Sequence, residues 1–255
     1  MTVVGVLHPG EMGAVVAGAL RERGETVLWA SAGRSAATAE RAEAAGLEDA
    51  EDIAEVRSRC EILLSICPPH AAVEVAREAS GFTGIYVDAN AIAPGTARGA
   101  IAKIQPRLVD GGIVGPPPSR PGTTRLYLSG GEAAEVAALF AGTNLETRVL
   151  SGEPGAASAL KAAYAGWTKG SAALLLTMRE LARAEGVENA LLEEWRLSIP
   201  ELEEHVAGAE RSARRKGWRW VGEMEEIAHG MAAHDLPTGF HEAAAEVFRG
   251  AAEES

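Results

Sequence analysis

The chain has two cysteines, four lysines, no apolar run long enough to span a bilayer and no excess of positive charge. Cys60 and Cys67 are too few for a disulfide framework, and their spacing suits no common zinc site, so they read as small side chains near a strand in a reducing compartment. Nearly half of the residues are apolar, yet no stretch approaches the eighteen or so consecutive apolar residues of a membrane helix. No basic, then apolar leader precedes the first strand, so the expectation is a cytoplasmic protein. A formal net charge of −12 argues against nucleic acid or an anionic membrane as partner, because both require a basic face. Scarce lysine has a further use. With Lys103, Lys161, Lys169 and Lys216 against twenty arginines, lysine is kept where a compact ammonium able to give up its proton is needed.

What is present has two textures. Through the first 150 or so residues, short β-rich runs alternate with Ala-rich helical runs, the pattern of a doubly wound α/β domain of Rossmann type. Strands are expected at 3–7, 26–30, 62–66, 85–88, 108–114, 125–129 and 146–150. From Pro154 strand signals vanish, and helices are expected at 155–185, 191–207, 209–216, 218–234 and 239–252, with no tail beyond the last few residues. The expected domains are 1–151, binding a dinucleotide, and 152–255, all helical. The first helix of the second domain is long enough to join the two.

The first strand runs into Gly5-Val-Leu-His-Pro-Gly-Glu-Met-Gly13 and then a helix. Gly10 lets a pyrophosphate approach the backbone, Gly13 lets the helix pack on the strand, and the helix N-terminus favours an anion. His8, Pro9, Gly10, Glu11 and Met12 are therefore candidate cofactor contacts, although His8 stands where the usual turn has its first glycine. At the end of the second strand, where an NAD-binding domain places a carboxylate for the ribose, this chain has Trp29-Ala-Ser-Ala-Gly-Arg-Ser35. Ser31, Arg34 and Ser35 offer hydroxyls and a guanidinium, which suit the 2′-phosphate of NADP better than NAD. Read without a ligand, Arg34 is a solvated residue and the serines are turn or cap residues.

Together with that turn, four later segments resemble the β-hydroxyacid dehydrogenase family, which includes 3-hydroxyisobutyrate dehydrogenase and 6-phosphogluconate dehydrogenase. Ser65-Ile-Cys-Pro-Pro-His70 is similar to the loop along the nicotinamide, which implies Cys67 and Pro68 as cofactor contacts. Val87-Asp-Ala-Asn-Ala-Ile-Ala-Pro94 is similar to a segment in which serine usually stands at the position of Asn90. Val109-Asp-Gly-Gly-Ile-Val-Gly115 resembles the substrate loop. Gly155-Ala-Ala-Ser-Ala-Leu-Lys161 resembles the catalytic segment, but Tyr164 and Ala165 follow where the family has asparagine. The segments Ala163 to Lys169 and Trp218 to Glu226 look closest to a divergent phosphogluconate-dehydrogenase-like branch.

The resemblance implies an NADP-dependent oxidoreductase that interconverts a small hydroxy acid and its oxo acid or semialdehyde, working as a homodimer. Lys161 would be the general acid/base if burial lowers its ammonium toward neutrality, with Asn90 and Tyr164 beside it as catalytic candidates. Asn90, Gly112, Ile113, Lys161 and Tyr164 would meet the substrate. Imine reduction is the first alternative, since the asparagine partner of alcohol chemistry is missing; a protein that binds NADP without turnover is the second. Lys169 either pairs with a carboxylate or binds substrate. Arg215 and Arg219 either meet an acidic substrate or pair with Glu223 and Glu226. The histidines lack metal-ligand spacing, and no metal is implied.

Overall fold

The computed structural model describes residues 1–253; residues 254 and 255, among the last few to which a tail was expected to be confined, lie outside the described residues. It comprises two compact units, Met1–Lys161 and Ala162–Ser255.

In the first unit the seven expected strands and one further strand form an eight-stranded sheet in the order β3-β2-β1-β4-β5-β6-β7-β8. The elements run β1 (Val3–Val6), α1 (Glu11–Glu22), β2 (Thr26–Trp29), α2 (Ala36–Ala44), β3 (Glu48–Asp49), α3 (Ile53–Arg59), β4 (Ile62–Ser65), α4 (Ala72–Glu78) and β5 (Ile85–Asp88). The short helices α5 (Pro94–Thr96) and α6 (Ala102–Ile104) follow, joined by a wider turn, then β6 (Leu108–Val114), β7 (Thr124–Ser129), α7 (Ala133–Leu139) and β8 (Leu145–Val149). Every neighbouring pair is parallel except β6 with β7.

The pleat sorts the core into two layers. Val4, Val6, Ile62, Leu64, Ile85 and Val87 point to one face, packed under Val16, Ala17 and Leu20 of α1. Leu63 and Tyr86 point to the other, under α4. Strands buried on both faces explain the continuous apolar runs of β4 and β5. β3 went unread because its two exposed acidic residues carry no strand signal; it is added at the sheet edge by pairing with Leu28 and Trp29. The order reverses between β1 and β4, and the carboxyl ends of such strands are where an open α/β sheet forms its ligand crevice.

The helix α8 (Ala156–Ala184) begins in the first unit and has most of its length in the second. It is followed by α9 (Glu188–Ser198), α10 (Leu202–Ala232) and α11 (Gly239–Glu253). Three expected helices between 191 and 234 are thus two: the expected breaks at Gly208 and Gly217 do not occur, and a break not expected falls at 199–201, inside the expected helix 191–207. Gly217 is buried within α10, and a Cβ there would lie 3.1 Å from the Phe248 carbonyl oxygen. This glycine serves close packing of α11 on α10, at a helix-propensity cost of about 1 kcal/mol. Phe248, Met224, Ile227 and Ala244 form the core of this unit. Among the described residues no helix is long and apolar enough to cross a membrane.

Candidate active site

The turn after β1 begins the site. Gly10 is the extended N-cap of α1 and makes no side-chain cap, and a Cβ on it would meet no atom within 4 Å. The helix therefore starts with open space beside its first N–H groups, the polarity that attracts an anion. Gly13 is needed for the approach of helix to turn, since a Cβ there would lie 2.5 Å from the His8 carbonyl oxygen. Pro9 is buried, Glu11 is exposed on the first turn, and Met12 packs against the core.

Two arginines, Arg34 in the loop before α2 and Arg41 on α2, close on this turn. Arg34 Nη1 lies 2.6 Å from His8 Nε2, and Arg41 Nε donates to the Pro9 carbonyl at 3.4 Å. Burial, then the Arg34 charge, lowers the His8 imidazole to about 4. Among the described residues, Arg34 Nε and His8 Nδ1 are buried with no partner. Ser31 is half-buried just past β2; Ser35 is the N-cap of α2, its Oγ accepting from Thr38 N–H at 3.3 Å. A free helix N-terminus flanked by a guanidinium with a spare N–H is a donor set that suits the phosphates of a dinucleotide. Arg41 went unread in the sequence because its approach to Pro9 depends on how α2 returns over α1.

Beyond β4 and β5 lies a buried polar network. Asn90 is 2 % exposed. Its Oδ1 accepts from the Cys67 N–H at 2.6 Å, and its Nδ2 donates to Ser65 Oγ at 3.0 Å and Asp88 Oδ2 at 2.9 Å. Its own N–H donates to Asp88 Oδ1 at 3.1 Å. The amide thus ties the end of β5 to the loop after β4 and fixes the backbone of Cys67 and, after it, half-buried Pro68. Burial raises Asp88 to about 7, with the Asp110 charge adding to it while the Asn90 hydrogen bonds oppose it. Burial also pushes the Cys67 thiol up to about 12, which keeps it protonated and poorly nucleophilic.

The third component is the start of α8. Asp110, fully buried on β6, accepts from the N–H groups of Gly155 and Ser158 at 2.8 and 2.9 Å and from the Ser129 hydroxyl at 3.0 Å. It also accepts from the Ser158 hydroxyl, and Ser129 Oγ accepts from Ala157 N–H at 3.1 Å. A carboxylate and a hydroxyl of adjacent strands therefore cap the helix. Next along β6, Gly112 lies under that helix: a Cβ there would stand 2.7 Å from the Ala157 carbonyl oxygen and 3.0 Å from Lys161 Cβ. Lys161 is half-buried, and Ile113 packs in the core. Asp110, Ser129 and Ser158 had no assigned role in the sequence, since the pairing of β6 with β7 brings the first two together and the docking of α8 on β6 adds the third.

In the second unit Tyr164 is half exposed, one turn past Lys161 in sequence, and its carbonyl accepts from Thr168 Oγ1 at 3.0 Å. Lys169 pairs with Glu223, both largely buried, and lies 5.3 Å from the centre of the Trp220 ring. Arg215 is exposed, and the Arg219 guanidinium lies 5.9 Å from the Trp218 ring centre. Among the described residues no cluster of His, Cys, Asp or Glu could hold a metal ion.

A doubly wound α/β sheet whose sixth strand grips a lysine-bearing helix defines the fold class, and comparison with known proteins agrees. The chain has the fold of the 3-hydroxyacid dehydrogenases. It is 29 % identical to a conserved protein of unknown function, MTH1747, described as structurally similar to 3-hydroxyacid dehydrogenases, with a TM-score of 0.74 over 98 % of this chain and 97 % of that one. The Mycobacterium tuberculosis 3-hydroxyisobutyrate dehydrogenase, solved with L-serine, gives a TM-score of 0.71 at 16 % identity, covering 100 % and 94 % of the two chains. The Aspergillus terreus reductive aminase, solved with NADPH, cyclohexanone and allyl amine, gives 0.59 at 19 % identity over 100 % and 94 %. An uncharacterized 28.5 kDa protein of Methanothermus fervidus is 25 % identical over 240 residues, 91 % of this chain and 92 % of the relative. Residues 182–251, in the helical unit, match a domain of unknown function, DUF1932. The likeness carried by the sequence motifs thus holds at the level of the fold.

Proposed function

We propose that the protein is an NADP-dependent oxidoreductase that interconverts a small hydroxy acid and its oxo acid or semialdehyde, with Lys161 as general acid/base. The observation that carries this reading is the seating of Lys161 on Gly112, on a helix whose N-terminus is clamped to β6 by Asp110. A lysine placed by a buried charged cap, on the sheet that carries the nucleotide turn, is more than a surface cation. The cofactor, when bound, takes or supplies the hydride. Lys161 takes the hydroxyl proton when the alcohol is oxidised and returns it when the carbonyl is reduced. Asn90 acts through the loop backbone it holds at Cys67. The guanidinium of Arg34 and the missing carboxylate after β2 support NADP over NAD.

Imine reduction is the second reading. It is favoured by the likeness to the reductive aminase and by Tyr164 standing where alcohol chemistry would have asparagine. A metabolite mixture offered with NADP⁺, followed by mass spectrometry, tests the first reading; cyclic imines offered with NADPH test the second. Loss of hydroxy-acid turnover in Lys161→Ala supports the proposal. Imine turnover that survives Lys161→Ala, with no hydroxy acid consumed by the unaltered protein, transfers it to the second reading. Nucleotide binding with no turnover in either panel makes the protein a non-catalytic NADP binder.

The homodimer rests on a stripe of exposed apolar side chains along α8, Trp167, Leu174, Met178 and Leu181, which a monomer would leave in water. Light scattering at micromolar concentration should return twice the chain mass. The acidic charge and the two free, half-buried cysteines support a cytoplasmic enzyme with a small anionic substrate and neither nucleic acid nor membrane as partner.

A further inference from the structure

The histidine in the phosphate turn is the chain's clearest departure from the usual glycine pattern, and its contacts give it a task. His8 Nε2 lies 2.6 Å from Nη1 of Arg34, the first cation after β2. A guanidinium has only donors, so Nε2 must be the acceptor and the ring proton sits on Nδ1. The ring is half-buried and stays neutral at physiological pH, because burial and the Arg34 charge both oppose a second proton. Arg41 faces the same turn, but its Nε is directed to the Pro9 carbonyl and its Nη2 to Thr38 Oγ1 at 3.1 Å, so it does not compete for the imidazole. One N–H of Arg34 is thereby committed to His8, and among the described residues its buried Nε has no partner, so the guanidinium keeps most of its five donors unspent. A glycine at position 8 would offer no side-chain acceptor, and the long arginine side chain would sample many rotamers beside the turn.

We propose that His8 is a positioning residue for cofactor choice: it holds the Arg34 guanidinium at the nucleotide turn, ordered in advance for the 2′-phosphate that distinguishes NADPH from NADH. The inference rests on the reading of the protein as an NADP-binding oxidoreductase and adds the residue that sets the preference. Ordering a recognition group before the ligand arrives raises affinity without adding a contact, and here it raises affinity only for the ligand that carries the phosphate.

The test titrates NADPH and NADH separately into the unaltered protein, His8→Gly, His8→Gln, Arg34→Ala and the His8→Gly/Arg34→Ala double variant, following tryptophan quenching and energy transfer to the nicotinamide. His8→Gly should weaken NADPH relative to NADH by about tenfold, the usual effect of a hydrogen bond to a charged group. His8→Gln, whose carboxamide oxygen can accept from Arg34, should recover most of the preference, and the double variant should lose no more than Arg34→Ala alone. The readout is the ratio of the two affinities, so a change of the turn that affects both nucleotides alike does not count toward it. If His8→Gly keeps the preference, or weakens both nucleotides equally, this inference fails and the oxidoreductase reading stands. If the unaltered protein binds neither nucleotide, that reading fails and this inference with it.

Discussion

Asp110 and Ser158 are bonded twice: the serine hydroxyl and the serine backbone N–H both donate to the same carboxylate. With the Gly155 N–H added, a buried anion on β6 ends the exposed connection from β8 and starts α8. Replacing it by alanine leaves buried donors without partners, each costing about 1–3 kcal/mol. Asp110→Ala should therefore lose about 3 kcal/mol of stability in urea unfolding, and Asp110→Asn less, because its amide keeps one acceptor oxygen. A loss under about 0.5 kcal/mol in the alanine variant would show that the cap is incidental.

Gly112 tests the placement of the lysine itself. A Cβ there meets backbone at Ala157 and the Lys161 Cβ, neither of which is the far end of a flexible side chain, so α8 must move. Gly112→Ala should cost about 1–3 kcal/mol as an overpacked contact. It should also lower turnover by about tenfold or more with NADPH affinity unchanged, because a small displacement of an acid/base group is expensive. Unaltered turnover would remove Lys161 from the reaction or Gly112 from its support.

Asp88 gives a pH dependence of unusual sign for a carboxylate. Its folded pKa, raised to about 7 by burial, exceeds its ordinary value of 3.8, so the folded state holds the proton more tightly than the unfolded chain. Stability from this group is greatest below the ordinary carboxylate range and falls as pH rises from about 4 to about 7, by a total on the order of 4 kcal/mol. Asp88→Asn should flatten that slope whatever its effect on absolute stability. Equal slopes in the two proteins would mean that Asp88 is ionised at neutral pH without penalty.

His8 carries the opposite shift. Its imidazole, lowered to about 4 by burial and then by Arg34, should show no proton uptake by NMR until the pH falls well below 6.5. The folded state consequently loses stability as pH falls from about 6.5 to about 4. In Arg34→Ala the midpoint should move up part of the way, since burial remains. A midpoint near 6.5 in the unaltered protein would place the ring in water.

These positions mark what the sequence could and could not carry. β5 was legible to the residue because its buried Ile-Tyr-Val run lies between parallel neighbours; β6 was legible from the apolar residues at its two ends, although Asp110 and two glycines interrupt it; and the turn after β1 was legible because Gly13 has a local purpose. Gly112 and Lys161 were each legible as motif members, while their mutual contact was not, being set by the packing of α8 on β6. Asp110, Ser129 and Ser158 lie far apart in the chain and carry no periodic signal, so their shared cap emerges only from the strand pairing and the docking of α8 on it. The glycines of α10 misled in the other direction. Gly217 reads locally as a helix break, yet its use is the close approach of Phe248, a tertiary fact.

The account depends first on a nicotinamide nucleotide binding to a turn that has exchanged a glycine for His8. The direct measurement is isothermal titration of NADPH and then NADH into the intact protein, with Trp29, buried at the end of β2 two residues before Ser31, as an internal optical reporter. Saturable binding of both, with NADPH tighter by about tenfold or more as expected for a charge-assisted phosphate contact, is the predicted result. Binding of neither nucleotide would contradict the account.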